Sequence, residues 1–182
     1  MTETTTETTT QPATELRAPA NGEHTVDGTP RSATSLTPFL VVEPAEAAIT
    51  FYTEVFGARL VDRTDMPGPD GRTIVAHAVL DLGQGQLQLG DPNPAFHLVP
   101  KPEGEDDCYS MGLYRPDVDA VVARAVEHGA TVREPVTNFV SGDRYASIRD
   151  PFGVRWSVMT RVEDLSDEES AARVAEWAKS LG

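Results

Sequence analysis

The sequence predicts an α+β fold of two tandem β-α-β-β-β modules with mixed, mostly antiparallel sheets, preceded by a disordered tail and followed by a C-terminal helix. Three observations carry this reading. Apolar residues alternate with period two in several short segments and recur with helical period in three others. The order of those segments is then repeated: Gly57 and Gly129, each ending a helical stretch, lie 72 positions apart (129 − 57). The same offset carries Pro44 onto Pro116, Ile49 onto Val121 and Ala58 onto Ala130 without a gap, the mark of an internal duplication.

Residues 1–33 are rich in Thr, Glu, Pro and Gly and almost lack large apolar groups, so too little surface is available to offset the entropy of ordering them. They are expected to be a disordered tail. The domain proper is expected over 34–165, with modules at 35–92 and 106–161, and the final helix within 162–182. In the first module "LTPFLVV" reads as a strand, and Pro44 stands where a first helical turn tolerates it. "AEAAITFYTEVFG" places Ala48, Ile49, Tyr52 and Phe56 on one face before Gly57 stops the helix. "ARLVDR", "TIVAHAVLDL" and "QLQLGD" supply three more strands, the last two joined by a Gly-Gln-Gly turn. In the second module "YSMGLYR" is the strand and "DVDAVVARAVEHG" the helix, with Val118, Val121, Val122 and Ala125 facing inward. "ATVREPV" and "YASIRDPFGVRWSVMT" complete it. Beyond them Ser166 and Glu169 form a capping box ahead of an apolar stripe of Ala171, Val174, Trp177 and Leu181, expected to pack on the body or on a partner subunit.

Composition narrows the function. With 182 residues, 39% of them hydrophobic, the chain can build one ordinary core. A net charge of −14 with no basic stripe argues against nucleic acid and would favour a cationic over an anionic ligand. No apolar run approaches the roughly 18 residues of a membrane span and no signal pattern opens the chain, so a cytoplasmic protein is expected, without membrane partners. The lone Cys108 forms no internal disulfide, and no Cys/His spacing suggests structural zinc; a half-buried thiol is expected.

In three segments the chain resembles the vicinal oxygen chelate superfamily of glyoxalases, bleomycin resistance proteins and dioxygenases. They are "TPFLVVEPAEAAITFYTEVFGARLV", "DVDAVVARAVEHGATV" and "GDRYASIRDPFGVRW". "HAVL" at 77–80 and "DPFGVRW" at 150–156 are similar to the PhnB-like subgroup, although Val154 stands where that subgroup usually has His. The resemblance implies a half-open cup lined by the concave sheet faces, commonly in a homodimer. It also implies four metal positions, one on each of four strands, normally His or Glu. Matched to the motif they fall on Thr37, Gln88, Ser110 and Ser157, with Tyr109 competing for the third. Zinc, iron and nickel sites need imidazole, thiolate or carboxylate donors. No metal and no cofactor is therefore expected.

Alternation sorts the strands into two faces. Thr37, Phe39, Val41, Val75, His77, Val79, Gln86 and Gln88 are expected in the cup, with Ser110, Gly112, Tyr114, Tyr145, Ser147, Arg149, Arg155, Ser157 and Met159. Of these, Thr37, Phe39, His77, Gln88, Ser110, Tyr114, Tyr145, Arg149, Arg155 and Ser157 form the candidate ligand site. His77 and Tyr145 are the candidate acid/base groups. Equally, His77 could be a histidine held by the sheet, and Arg149 could pin the turn beside Asp150. Residues 91–107 are a lid over the cup or a plain linker. The expected function is metal-free binding of a small organic molecule, by sequestration or carriage. The alternative is an enzyme: a metal-independent isomerase, epimerase or cyclase, or a metal-dependent lyase or dioxygenase if the ligand positions lie elsewhere.

Overall fold

A computed structural model describes residues 18–68, 70–104 and 106–181, in a first unit ending at Ser35 and a second beginning at Leu36. Residues 1–17 of the expected tail lie outside the described residues. The rest of that tail is not featureless: β1 (Thr25–Val26) and β2 (Thr29–Pro30) pair antiparallel around Asp27-Gly28. Asp27 and Gly28 have φ of 47° and 79°, the positive values a tight hairpin turn requires. The Asn21 side chain braces the turn, accepting from the Asp27 N–H at 2.8 Å and donating to its carboxylate at 2.9 Å. Composition hid an Asp-Gly signal that was present.

The second unit repeats one module twice. The first consists of β3 (Phe39–Val41), α1 (Ala45–Phe56), β4 (Arg59–Pro67), β5 (Thr73–Asp81) and β6 (Gln86–Gly90), with sheet order β3-β6-β5-β4. The second consists of β7 (Met111–Tyr114), α2 (Val118–Glu127), β8 (Thr131–Asn138), β9 (Asp143–Arg149) and β10 (Arg155–Arg161), in the matching order β7-β10-β9-β8. In each sheet the strand before the helix pairs parallel with the last strand, and the other pairs are antiparallel. The helix boundaries follow from local chemistry. The Asp91 carboxylate accepts from the Ala45 and Val75 N–H groups, both at 2.8 Å, so one side chain caps α1 and holds it to β5. Gly57 ends α1 at φ 68°, a conformation costly for any residue with a Cβ. Asp117 caps α2 by accepting from the Ala120 N–H at 3.0 Å.

Both helices lie over one face of the sheets, and a single core runs beneath them. Tyr52 and Phe56 of α1 stack at 5.7 Å, and both rings meet Trp156 of the second module, at 5.3 and 4.6 Å. Asp150, at the turn between β9 and β10, is the polar node of this core. It accepts from the Tyr52 hydroxyl at 2.7 Å, from Trp156 Nε1 at 2.9 Å, and from the Phe152 and Val154 N–H groups, both at 2.9 Å. Burial, then the Asp150 charge, holds the Tyr52 phenol well above its ordinary pKa, so it stays a donor.

Three expectations need correction. Val75 does not face the cup: Thr64 pairs with His77 and Asp65 with Val75, which leaves Ala76 as an extra residue in β5. That bulge reverses the alternation and turns Val75 into the core, where it is 3% exposed. Of the two alternatives for the terminal stripe, packing on the body is the one corrected: Ala171 and Trp177 of α3 (Asp167–Lys179) and Leu181 beyond it are exposed and Val174 is half-buried. The helix touches the body through a Phe139–Trp177 edge contact at 4.9 Å and a Ser170 hydroxyl donating to the Ser141 carbonyl at 2.9 Å. Its capping box forms as expected. Cys108 is exposed, not half-buried.

Candidate functional site

The concave face of the second sheet has a floor of small side chains. Strand register sets Gly112, Ser157, Ser147 and Glu134 side by side across β7, β10, β9 and β8. Ser110 lies two residues before Gly112, on the same face, and its hydroxyl is 3.0 Å from that of Ser157. Along one flank the Glu134 carboxylate ties two larger groups together, the Tyr145 hydroxyl on one oxygen and Arg155 Nη2, at 2.6 Å, on the other. Arg155 Nε continues the chain to the Ser147 hydroxyl at 2.9 Å. Ser147 therefore points toward the cup but is sealed beneath the guanidinium. Burial first, and the Glu134 bond second, raise the Tyr145 pKa; the phenol is a committed donor and a poor base.

Glu134 belongs to the site and was missed. β8 slips register against β9 twice, between Val132 and Glu134 and again between Glu134 and Thr137, so simple alternation along "ATVREPV" cannot assign its faces. The signal available was a lone acid opposite Tyr145 and Arg155, visible only once the strands are paired.

The first sheet carries the matching patch. Gln88 lies beside Phe39 and Val79, and the Phe39 ring stacks on His77 at 6.0 Å and 28°. Among the described residues His77 takes no hydrogen-bond partner, so the stacked ring, not a proton relay, is its main engagement. Thr37 is half-buried just before β3, where the Pro38 carbonyl accepts from the Gln88 N–H at 2.8 Å.

Two expected ligand residues are drawn elsewhere. Arg149 is claimed by the segment between the modules: it donates to Asp107 at 2.9 Å and to the Gly104 carbonyl at 3.0 Å, while Lys101 approaches the same Asp107 carboxylate at 3.2 Å. The segment is thus a pinned strap. Burial alone would raise the Asp107 pKa, but the Lys101 and Arg149 bonds outweigh it and hold the carboxyl below its ordinary value. Its contribution is present above the unfolded aspartate pKa of about 4 and is lost as pH falls through the lower folded value. Asp107→Asn is expected to loosen the strap by about 1 kcal/mol after solvent screening, read as about fivefold faster proteolysis within 101–107 at neutral pH. Tyr114 is half-exposed and donates to the Asp143 carboxylate at 3.2 Å, which Arg161 also meets at 2.9 Å.

The candidate residues thus form two concave patches: Thr37, Phe39, His77 and Gln88 on one sheet, and Ser110, Ser157, Tyr145 and Arg155, with Glu134, on the other. A cavity of about 750 Å³ reaches the second patch only at its floor residue Gly112. It lies between the β5–β6 turn and β7, and Tyr114 alone of the ten candidates lines it. Phe39 lines a smaller hollow of about 320 Å³ under the strap, beside Val99–Pro102 and Met111.

The four positions implied for a metal do not suit one. Thr37, Gln88, Ser110 and Ser157 offer neutral oxygens, and two of the hydroxyls are already bonded to each other. Among the described residues no three His, Cys, Asp or Glu side chains gather as a metal-binding group. Neutral hydroxyl and amide oxygens cannot replace the hydration of a transition-metal ion.

The model for the Glyoxalase/Bleomycin resistance protein/Dioxygenase superfamily matches residues 32–158. An uncharacterized protein of Mycobacterium bovis is 35% identical over 145 residues, covering 78% of this chain and 92% of that protein. A Mycobacterium tuberculosis protein, also uncharacterized, is 35% identical over the same length, covering 82% of its own chain. Among solved structures, TioX from Micromonospora sp. ML1 aligns with a TM-score of 0.53 at 24% identity, over 71% of this chain and 99% of that one. A PhnB protein from Bacillus cereus aligns with a TM-score of 0.54 at 20% identity, over 70% and 99%. These structural likenesses bear on the fold, which is the same two-module arrangement. Matched along most of its second unit by the family model, the chain belongs to the Glyoxalase/Bleomycin resistance protein/Dioxygenase superfamily.

Proposed function

We propose that this chain is a PhnB-like member of the superfamily that binds a small organic molecule on its concave sheet faces without a metal, by sequestration or carriage. The observation that carries the reading is the Ser110–Ser157 hydroxyl pair at 3.0 Å, standing where the resemblance implies metal ligands. Around it the small Gly112 and Ser157 side of the floor leaves room for a flat ligand, and Tyr145, Glu134 and Arg155 offer directional hydrogen bonds at its edge. The stacked Phe39 and His77 rings supply an apolar wall. A base role for Tyr145 is opposed by its raised pKa. The working unit in this proposal is a cytoplasmic homodimer; its pairing is supported by two long strands, β4 and β8, that stand at the edges of their sheets and are largely exposed.

A thermal-shift screen of flat neutral and cationic organic molecules, followed by calorimetry, tests the binding face. Glu134→Gln and Tyr145→Phe are each expected to weaken a true ligand by about fivefold to tenfold, the loss of one directional bond. Ligands held equally well by both variants and by His77→Ala would show that the concave faces are not the site.

A further inference from the structure

The 750 Å³ cavity between the modules has chemistry of its own. Its apolar walls are the half-buried Leu82 on one side and Met111 on the other, with the buried Leu87, Leu113 and Trp156 also lining it and Gln84, Gln86 and Thr160 adding polar groups. At its end stands Arg115, half-buried. The guanidinium spans the modules through backbone carbonyls only: Nε donates to Phe56 O at 2.8 Å, and Nη1 donates to Leu82 O at 3.0 Å and Tyr114 O at 3.2 Å. Among the described residues no carboxylate pairs with Arg115, and its Nη2 takes no hydrogen-bond partner. Arg161 lines the same cavity but is held by Asp143 at 2.9 Å. In a chain of net charge −14, most of the described arginines pair with an acid, and Arg115 does not.

We infer that this groove is a second ligand site, meeting the concave floor of the second sheet only at Gly112, that takes a small apolar carboxylate with its acid on Arg115 and its body against Leu82 and Met111. Charge complementarity selects the class. Three carbonyls fix the guanidinium in place without neutralising it, so Nη2 is preorganised for a carboxylate oxygen, and the charge-assisted bond forms beside apolar walls that strengthen it. Burial lowers the Arg115 pKa from its ordinary value, the cost of holding that charge out of water, and a bound carboxylate offsets it. An apolar cation or neutral analogue gains the walls but not the charge.

The test uses the full chain and three probes of increasing size: benzoate, 1-naphthoate and biphenyl-4-carboxylate, each beside its primary amide. Two-dimensional NMR follows the backbone amides of Gly83, Gly85 and Met111 and the Arg115 Nε–H. At least one carboxylate is expected to shift these signals saturably, with its amide about tenfold weaker. Gln84→Glu places an acid on the exposed turn at the groove mouth and leaves the Arg115 bonds intact. It is expected to weaken the carboxylate about fivefold or more while sparing the amide, with unchanged melting temperature. Arg115→Lys, checked for native spectra, is expected to lose most of the preference for the acid. The inference is overturned if none of the three carboxylates moves the groove signals, if acid and amide bind alike, or if the shifts fall on His77 and Tyr145 instead. Shifts on those two residues would support the concave-face proposal while removing this one, so the two fail separately.

Discussion

Asp150→Ala is expected to cost about 3–5 kcal/mol of folding stability, because one carboxylate satisfies four donors at the centre of the core. Removing it strands the Tyr52 hydroxyl and the Trp156 indole N–H, both on fully or almost fully buried side chains, where water cannot replace the lost acceptor. It also releases the Phe152 and Val154 amides that shape the turn between β9 and β10. Asn at this position keeps one oxygen but offers an NH₂ where the other oxygen accepts, so Asp150→Asn is expected to recover less than half of the loss. Urea unfolding is the measurement, read as a fall in midpoint at unchanged slope. A cost below about 1 kcal/mol for Ala would mean that the four bonds do not act as a unit.

Gly90→Ala is expected to cost about 2 kcal/mol and to weaken ligand binding as well. A Cβ there would sit 2.7 Å from the Ala76 carbonyl oxygen and 3.2 Å from Cζ of Phe39. The first contact is with backbone and cannot be relieved by a rotamer change. Ala76 is the bulge residue that turns Val75 into the core, and Phe39 is the ring stacked on His77. The same added methyl therefore disturbs the packing and the apolar wall of the first concave patch. Gly112→Ala is the matched control in β7: its nearest neighbour would be Cε of Met159 at 3.6 Å, an ordinary contact. It is expected to change stability by less than about 0.5 kcal/mol. Equal effects in the two variants would rule out the steric explanation.

Much of the fold was legible because it is carried by local signals repeated twice. The 72-position offset located both helices, and Gly57, Asp117 and Ser166 act at their ends as their residue types dictate. What failed was wherever pairing overrode local pattern. Val75 was misplaced by one bulged residue, and Glu134 was hidden by two register slips in β8. Arg149 was read as open to a ligand because its partner, Asp107, lies 42 residues earlier in a segment with no periodicity to interpret. The α3 stripe shows the converse: amphipathic spacing proves that a helix has an apolar side, not that anything covers it. In the site itself, Ser110 and Ser157 were brought together by simple alternation, since β7 and β10 are adjacent and regular.

The claim that the concave faces work without a metal is tested most directly by metal content. The purified chain, dialysed against micromolar Ni²⁺, Zn²⁺, Mn²⁺ and Fe²⁺ in turn and then against buffer, is analysed by mass spectrometry beside melting curves in each ion. The expected result is far less than one ion per chain and no ion-specific rise in melting temperature. Close to one ion per chain, with a rise specific to that ion and abolished by Gln88→Ala or Ser157→Ala, would contradict the claim and return the site to the metal-dependent chemistry of its superfamily.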